Sequence, residues 1–203
     1  VTLVNPWAGV LYGPDWNECH VAEYLFMTPL KLGVFVNMVT DIGRLTELHI
    51  GARYWAAYTG GDAASIAAAL RINKSVGLHL QRADWQYVFN SSIDDVDTAV
   101  LFDKMEGDDA TLASNGQFYD FSCTGVRVGL DLMHVNTLGI AFTRLHMDTP
   151  DGVCIQGRPT YNGAIMIRDF TLSAPETCIL LERGSMGMLS LAAGSMAAGR
   201  TGV

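Results

Sequence analysis

The stretch GVFVNMVTDIGRLTELHI, residues 33–50, decides the fold of this chain. It combines a short apolar strand pattern, a polar turn around Asp41 and Gly43, and a second strand in which apolar and polar residues alternate. The pattern returns along the chain, each time with a small residue before an aliphatic run. Copies of the first strand start at Gly77, Ala99, Gly129, Gly152 and Cys178, with a fainter copy at Gly9.

The spacing of these copies predicts a solenoid. After an interval of 44 residues between Gly33 and Gly77, the next starting points are separated by 22, 30, 23 and 26 residues. A repeat of this length is too small to bury its own apolar face, so it stacks on its neighbours. Because β-branched and alternating residues dominate the copies, we predict an all-β fold, a parallel β-helix.

One short helix is predicted to interrupt the coils, over residues 62–72. This segment, DAASIAAALRI, is rich in Ala and has Asp62 as a candidate N-cap. We expect a single domain, with an irregular start over residues 1–27, coils over 28–191 and a tail over 192–203. Since the chain begins at Val1 without a leader, we expect that a targeting segment has been removed or that the chain is part of a longer protein.

Composition and charge restrict the classes of partner. The 49% hydrophobic and 17% charged content is typical of a folded globular protein, and no apolar run reaches the roughly 18 residues of a membrane helix. The net charge of -8, without a cluster of Lys and Arg, argues against nucleic acid and favours a neutral ligand. Cys154 and Cys178 occupy equivalent strands, either as small buried residues or as a disulfide between coils.

Three segments carry a resemblance to a known group of proteins: TPLKLGVFVNMVTDIGRLTELHI (28–50), RADWQYVFN (82–90) and NGQF (115–118). They resemble the right-handed parallel β-helices of the pectate lyase-like superfamily, in the branch related to glycosyl hydrolases and pectate lyases. The resemblance implies a secreted, carbohydrate-active protein that cleaves a polysaccharide in a groove along the solenoid. The same branch includes phage tailspikes, which implies an alternative: a non-catalytic structural or glycan-binding module at a cell or virion surface.

The turn after each first strand holds the candidate catalytic residues. Equivalent positions of successive coils stack about 4.8 Å apart, so turn side chains form columns. Seven or eight residues after each starting point stand Asp41, Asp84, Glu106 and Asn136. We predict Asp41 and Asp84 as the acid and base of a glycoside hydrolase, which places two carboxyl groups about 5 to 9.5 Å apart. The alternative is that these residues only form turns.

Charged residues near the second strands extend this prediction. Lyases of the resembled superfamily use an Arg or Lys as base beside a calcium-bound acidic sugar, so Arg44, close to Asp41, is the third catalytic candidate. Glu47, Arg144 and Asp169 occupy similar positions on second strands and are expected to form a charged ladder across the coils.

Four aromatic residues are predicted to bind the sugar. Tyr54 and Trp55 precede the predicted helix, and Trp85 and Tyr87 follow Asp84, which is expected to place flat rings near both candidate acids. Sugar rings pack their C–H faces on aromatic planes. The alternative is that the helix packs against the solenoid through these rings.

The remaining expectations concern metal, histidines and assembly. Asp94, Asp95 and Asp97 are candidate oxygen ligands for Ca²⁺, against the alternative of a solvated turn; no other cofactor is expected. The five histidines have no triad-like partner in sequence, although His49 and His146 fall at equivalent strand positions. Because the tail is a poor cap for a solenoid end, we expect a homo-oligomer, for example a trimer.

Overall fold

The computed structural model describes residues 1–105 and 113–199, which form fifteen strands and two short helices. The strands are β1 (Thr2–Val4), β2 (Ala8–Tyr12), β3 (Val21–Thr28), β4 (Leu32–Val36), β5 (Gly43–Ile50), β6 (Val76–Leu80), β7 (Gln86–Ile93), β8 (Thr98–Phe102), β9 (Gly116–Thr124), β10 (Val128–Leu132), β11 (Ile140–Asp148), β12 (Val153–Gly157), β13 (Ala164–Ala174), β14 (Ile179–Leu181) and β15 (Met188–Ala198). The helices are α1 (Ala52–Thr59) and α2 (Ala63–Ile72).

The strands form two parallel sheets that run the length of the molecule. The odd-numbered strands make an eight-stranded sheet, sheet A, and the even-numbered strands make a seven-stranded sheet, sheet B, each in sequence order. A coil is therefore one short even strand followed by one longer odd strand. The predicted all-β parallel solenoid is confirmed. Within the described part of the chain, no helix is long and apolar enough to cross a membrane.

Each odd strand from β3 onward bends at one residue with a positive φ. The seven bend residues have φ between 47° and 57°; they are Tyr24, Glu47, Asn90, Asp120, Arg144, Asp169 and Ala193. The strand register stacks them in one column, as the pairs on either side of Arg144 and Asp169 show. The predicted ladder of Glu47, Arg144 and Asp169 is thus confirmed as a column, in which Arg144 pairs with Asp120 of the preceding coil. We call the parts of an odd strand before and after this bend its first and second segments.

At Gly33 and Gly77, the small residue that starts the copy is required by packing against the end of the following odd strand. A Cβ atom at Gly33 would lie 2.6 Å from Ile50 Cδ1, and one at Gly77 would lie 2.3 Å from Ile93 Cγ2. Both distances are far below van der Waals contact, so only a residue without a side chain fits. Cys154 and Cys178 follow later in the chain as buried free thiols, which confirms their prediction as small buried residues.

The middle coils are held together by a cluster of buried phenylalanines. Phe118 and Phe142 stack across neighbouring coils with ring centroids 4.5 Å apart, and Phe102 and Phe121 contact them edge-on. All four side chains are almost completely buried. Aromatic pairs of this geometry stabilise a core beyond the area they bury.

Both helices lie in the long interval between β5 and β6. The predicted helix is α2, whose N-cap Asp62 accepts hydrogen bonds from the N–H groups of Ala64 and Ser65. The aromatic stretch before it, not predicted as helical, forms α1. Neighbouring coils complete this helix's first turn, because Asp95 Oδ2 accepts from Ala52 N at 3.3 Å and Thr28 Oγ1 accepts from Trp55 N at 3.0 Å.

The ends of the chain are more regular than their sequence suggests. Residues 1–27, expected to be irregular, contribute strands β1, β2 and most of β3. The tail expected over 192–203 continues β15 as far as Ala198. Its small residues therefore pair with β13 through the parallel register from Met188 to Ala198.

Candidate functional site

Three successive turns between sheet B and sheet A form one corner of the solenoid. Isolated parallel bridges align them at Asn17, Val39 and Ala83. The next residues in each turn are Glu18, Thr40 and Asp84, which therefore stack in this order. The hydroxyl of Thr40 donates to Glu18 Oε1 at 3.2 Å. We call Glu18, Asp41 and Asp84 the acidic corner.

Asp41 belongs to this corner but lies one residue out of register with Asp84. The turn between β4 and β5 has six residues and the turn between β6 and β7 has five, so Thr40 rather than Asp41 is the direct neighbour of Asp84. Asp41 is exposed, accepts a hydrogen bond from Ile42 N at 2.8 Å, and lies 3.9 Å from Cys19 Sγ. The acid and base roles of Asp41 and Asp84 stay predictions.

The other members of the predicted acidic column do not extend the corner. Glu106 lies outside the described residues. Asn136 is buried, and its side chain accepts from Leu138 N at 3.0 Å and donates to Ala113 O. Asn136 therefore shapes its own turn, as the alternative interpretation of this column expected.

An arginine links the corner to an aromatic ring. The guanidinium of Arg82 lies 4.8 Å above the ring of Trp16, and its Nη2 is 3.4 Å from Asp84 Oδ2. Cation–π contact and ion pairing hold the guanidinium between the two side chains. Asp84 and Trp16 are thereby fixed on one surface, although they are 68 residues apart in sequence.

Aromatic rings that are exposed or half-buried continue from the corner onto the first segments of sheet A. Trp16 and Trp85 are 54% and 47% exposed, and the backbone N–H of Trp85 donates to the Asn115 side chain. The rings of Tyr87 and Phe89 are parallel within 5°, with centroids 6.0 Å apart. Tyr119 neighbours Phe89 in the next coil. We call these rings the aromatic strip, which comprises Trp16, Trp85, Tyr87, Phe89 and Tyr119.

Four of the predicted site residues adjoin one another in this region. Asp84, Trp85 and Tyr87 are close in sequence, and Arg44 is the register neighbour of Tyr87. Arg44 is exposed beside the strip. The structure thus brings the catalytic candidates and two of the four aromatic candidates to one surface.

Tyr54 and Trp55 lie elsewhere, which corrects the expectation that they flank Asp41. Asp41 precedes β5 and α1 follows it, so the eight residues of β5 separate them. Eight strand residues span up to about 26 Å. The Tyr54 ring packs against Phe26 with centroids 5.5 Å apart, and its hydroxyl accepts from Arg53 Nη2 at 2.8 Å.

The predicted calcium ligands each have a partner within the protein. Asp94 Oδ1 accepts from Thr124 Oγ1 at 2.9 Å, and Asp97 forms a two-pronged ion pair with Arg127 at 2.7 and 2.8 Å. Asp95 caps α1, and burial raises the pKa of its carboxyl group. Among residues 1–105 and 113–199, no group of three or more His, Cys, Asp or Glu side chains could hold a metal ion.

Two histidines, His20 and His79, are buried or partly buried in the solenoid. His20 stacks on Tyr12 with ring centroids 4.2 Å apart, and burial lowers the pKa of its imidazole, partly offset by the nearby Gln86 side chain. Gly43 lies between the His20 and Gln86 side chains, where a Cβ atom would come within 2.5 Å of both. Burial also lowers the pKa of His79, against the charge of Asp103.

Several site residues escaped the sequence analysis. Trp16 and Glu18 lie within residues 1–27, whose sequence gives mixed strand signals, and the role of Arg82 depends on its contact with Trp16, 66 residues away in sequence. The faint copy at Gly9 is the sequence signal for Glu18, because the turn after that copy lies at the same corner as the turn that contains Asp84. His49 also departs from expectation, since its ring nitrogens contact Glu47 and Ser92.

Comparison with known proteins adds no identity. No protein-family model, no curated protein and no solved structure matches this chain. The parallel β-solenoid is shown by the strand pairing itself, and function rests on the chemistry of the site.

Proposed function

We propose that this protein binds a neutral polysaccharide along the aromatic strip. The observation that carries the proposal is a line of aromatic rings, in which Trp16, Trp85 and Tyr119 are exposed and Tyr87 and Phe89 between them are half-buried. Large exposed apolar patches rimmed by polar groups mark binding surfaces, and aromatic planes accept the C–H faces of sugars. The net charge of -8 favours a neutral chain over a polyanionic one.

Polar groups along the strip supply the hydrogen bonds that a sugar requires. Arg44 and Gln117 adjoin Tyr87 in the coils on either side, and Arg144 lies 4.2 Å above the Tyr119 ring. Because each coil repeats the surface at about 4.8 Å, an extended chain meets similar groups several times. Such repetition suits a polymer better than a compact small molecule.

Cleavage of the bound chain at the acidic corner is the second candidate function. Glu18 and Asp84 flank Thr40 in the stack, so their backbones lie two coils apart, about 9.6 Å. Inverting glycosidases place their carboxyl groups about 6.5 to 9.5 Å apart with a water between them. Asp41 projects from the same corner and is the alternative partner of Asp84.

The fold supports two further parts of the proposal. Parallel sheets with a repeated bend favour membership of the pectate lyase-like superfamily, with its right-handed coils, and therefore an extracellular or cell-surface location. Three methionine side chains in β15 and its approach, Met186, Met188 and Met196, are more than half exposed, which favours a homo-oligomer.

Affinity electrophoresis through gels that contain neutral polysaccharides tests the binding proposal. We expect retardation in at least one neutral gel, and about three- to tenfold weaker binding for Trp85→Ala or Tyr87→Ala, since each ring contact contributes about 0.5–1.5 kcal/mol. Tyr58→Ala is the matched control, because Tyr58 is 77% exposed on α1, away from the strip. Equal loss in the control would contradict the assignment of the strip.

Product analysis tests cleavage separately. We expect the wild-type protein to release reducing ends from the polysaccharide that it binds, and Asp84→Asn to abolish that release while leaving retardation in the gel intact. Glu18→Gln and Asp41→Asn distinguish the two possible partners of Asp84. Binding without any release of reducing ends would contradict the second candidate and leave the first.

A further inference from the structure

A second constellation of reactive side chains lies on the second segments of sheet A. His49 and Ser92 are register neighbours in adjacent coils, and Glu47 is the bend residue two positions before His49. His49 Nε2 lies 2.9 Å from Glu47 Oε2, and His49 Nδ1 lies 2.9 Å from Ser92 Oγ. Arg53, in the first turn of α1, places Nη2 3.2 Å from Ser92 Oγ.

When the His49 imidazole is neutral, hydrogen-bond chemistry fixes where each proton lies. The Glu47 carboxylate only accepts, so His49 Nε2 carries the proton between them. The neutral ring then offers Nδ1 as an acceptor. Because the Arg53 guanidinium only donates, Ser92 Oγ accepts from it and directs its own proton to His49 Nδ1. The result is a chain from carboxylate to imidazole to hydroxyl.

The surroundings hold the imidazole and leave the surface accessible. The Phe26 ring stacks on His49 with centroids 5.3 Å apart and planes 16° from parallel. The side chains of His49 and Glu47 are 20% and 30% exposed. In the next coil a shallow groove of about 320 Å³ starts at Ser122, the register neighbour of Ser92, and continues past His146.

We propose that Ser92, His49 and Glu47 form a catalytic triad that hydrolyses carboxylic esters. Ser92 is the nucleophile, His49 the general base and Glu47 the group that holds the imidazole in the required tautomer. The two ring nitrogens are used in the opposite order to the serine protease triad. Triads are recognised by geometry and role, and either nitrogen of a neutral imidazole can serve as the base.

The reaction balances with water as the only co-reactant. Ser92 Oγ bonds to the ester carbonyl carbon while its proton passes to His49 Nδ1. The tetrahedral intermediate expels the alcohol, which takes that proton, and leaves an acyl-serine. Water then attacks the acyl carbon, again giving a proton to His49, and the acid leaves as Ser92 recovers its proton.

Arg53 is placed to stabilise the charge that develops during this reaction. Its Nη2 already contacts the oxygen that attacks, and its Nη1 is held 3.6 Å from Asp94 Oδ2. A fixed cation near the reacting oxygens lowers the energy of an oxyanion relative to the neutral ester. The shallow groove and the partly buried triad favour esters with a small acyl group, such as acetyl.

Two measurements on the full-length protein test the triad. With p-nitrophenyl acetate we expect turnover that falls about 100-fold or more in Ser92→Ala and in Glu47→Gln, whose amide donates to Nε2 and forces the proton onto Nδ1. With a fluorophosphonate we expect one covalent adduct, located at Ser92 by peptide mass spectrometry. Ser195→Ala is the matched control, since Ser195 lies in the same column on β15, beside Thr171 and not beside a histidine; it should keep both properties.

Several results would overturn the proposal. Absence of an adduct on Ser92 in folded protein would do so, and so would an adduct that Glu47→Gln does not diminish. Hydrolysis that is equal in the wild type and in Ser92→Ala would show that the activity arises elsewhere. Circular dichroism of each variant shows whether a loss of activity is due to a loss of the folded structure. None of these outcomes depends on whether the protein binds a polysaccharide.

Discussion

The two ends of strand β5 show different ways of placing chemistry on a solenoid. At its start, turns of six and five residues meet at the acidic corner, and Asp41 is displaced from Asp84 by the additional residue. At its end, hydrogen-bonded strands run in continuous register, and His49 lies directly beside Ser92. Turns tolerate insertions that strands do not, so side chains are more closely fixed on strands than on turns.

The difference also determines which ligand each region suits. The corner and the aromatic strip present side chains spread over several coils, which suits a long polymer held by many small contacts. The bend of β5 and the second segments of β5 and β7 present a chain of three groups, in which His49 is within hydrogen-bond distance of both Glu47 and Ser92, and this suits a reaction at one bond. A binding surface tolerates small displacements, whereas proton transfer does not.

Inserting one residue should produce the largest difference in stability between the strand region and the turn region. Inserting Gly between Phe89 and Asn90 reverses the faces of the rest of β7, so that Ile93 leaves the core and the protein should fail to fold. Inserting Gly between Asp41 and Ile42 should cost about 1 kcal/mol or less. Urea unfolding followed by circular dichroism measures both, and equal losses would contradict the contrast between strand and turn.

Substitution of Gly77 should have the next largest effect. The Cβ of Gly77→Ala would lie 2.3 Å from Ile93 Cγ2 and 2.9 Å from Ala99 O, so we expect a loss of about 1–3 kcal/mol in the free energy of unfolding. Ile93→Ala should therefore cost less stability in the Gly77→Ala chain than in the wild type, because it removes both Ile93 atoms that the new methyl group would meet, Cγ2 and Cδ1. Simple additivity in this double-mutant cycle would argue against the contact.

Stability should also decline in mild acid because of His20 and His79. Burial lowers the pKa of both, so below about pH 6.5 the unfolded chain binds protons that the folded chain resists. Their contribution to stability is therefore complete above this pH and is lost as the pH falls. His79→Leu should flatten the dependence of the unfolding midpoint on pH between 7 and 5, as measured by urea unfolding at each pH.

The smallest effect is expected for the ion pair in the bend column. Arg144 and Asp120 side chains are 50% and 37% exposed, and exposed pairs contribute about 0–1 kcal/mol. Arg144→Ala should therefore change the free energy of unfolding by less than about 1 kcal/mol. A larger loss, insensitive to salt, would mean that this charged column helps to set the register.

The fold was predictable because its requirements repeat in every coil. Gly33 and Gly77 mark where a small residue must meet a large one, and alternation in residues 43–50 marks the sheet face. The α1 helix was not predictable, since Asp95 and Thr28 complete its first turn from neighbouring coils. Its interactions exist only after the coils have stacked.

The candidate sites were predictable only where their residues are close in sequence, because contacts between coils depend on the strand register. Composition and spacing pointed to Asp84, Trp85 and Tyr87, which lie close together in sequence. The contact between His49 and Ser92 joins residues 43 positions apart, across the long interval that α1 and α2 occupy. Without the register of β5 and β7, no sequence spacing indicates that pair.

The central claim is that a neutral polysaccharide binds along the aromatic strip. It is tested most directly by amide hydrogen exchange of the protein, measured with and without a neutral polysaccharide that retards it in a gel. The binding proposal predicts slower exchange in the three turns of the corner, residues 15–19, 38–42 and 82–85, with Ala52–Thr59 of α1 unchanged. Protection confined to α1 or to the exposed strand β15 would contradict it, and would place the glycan away from the aromatic strip.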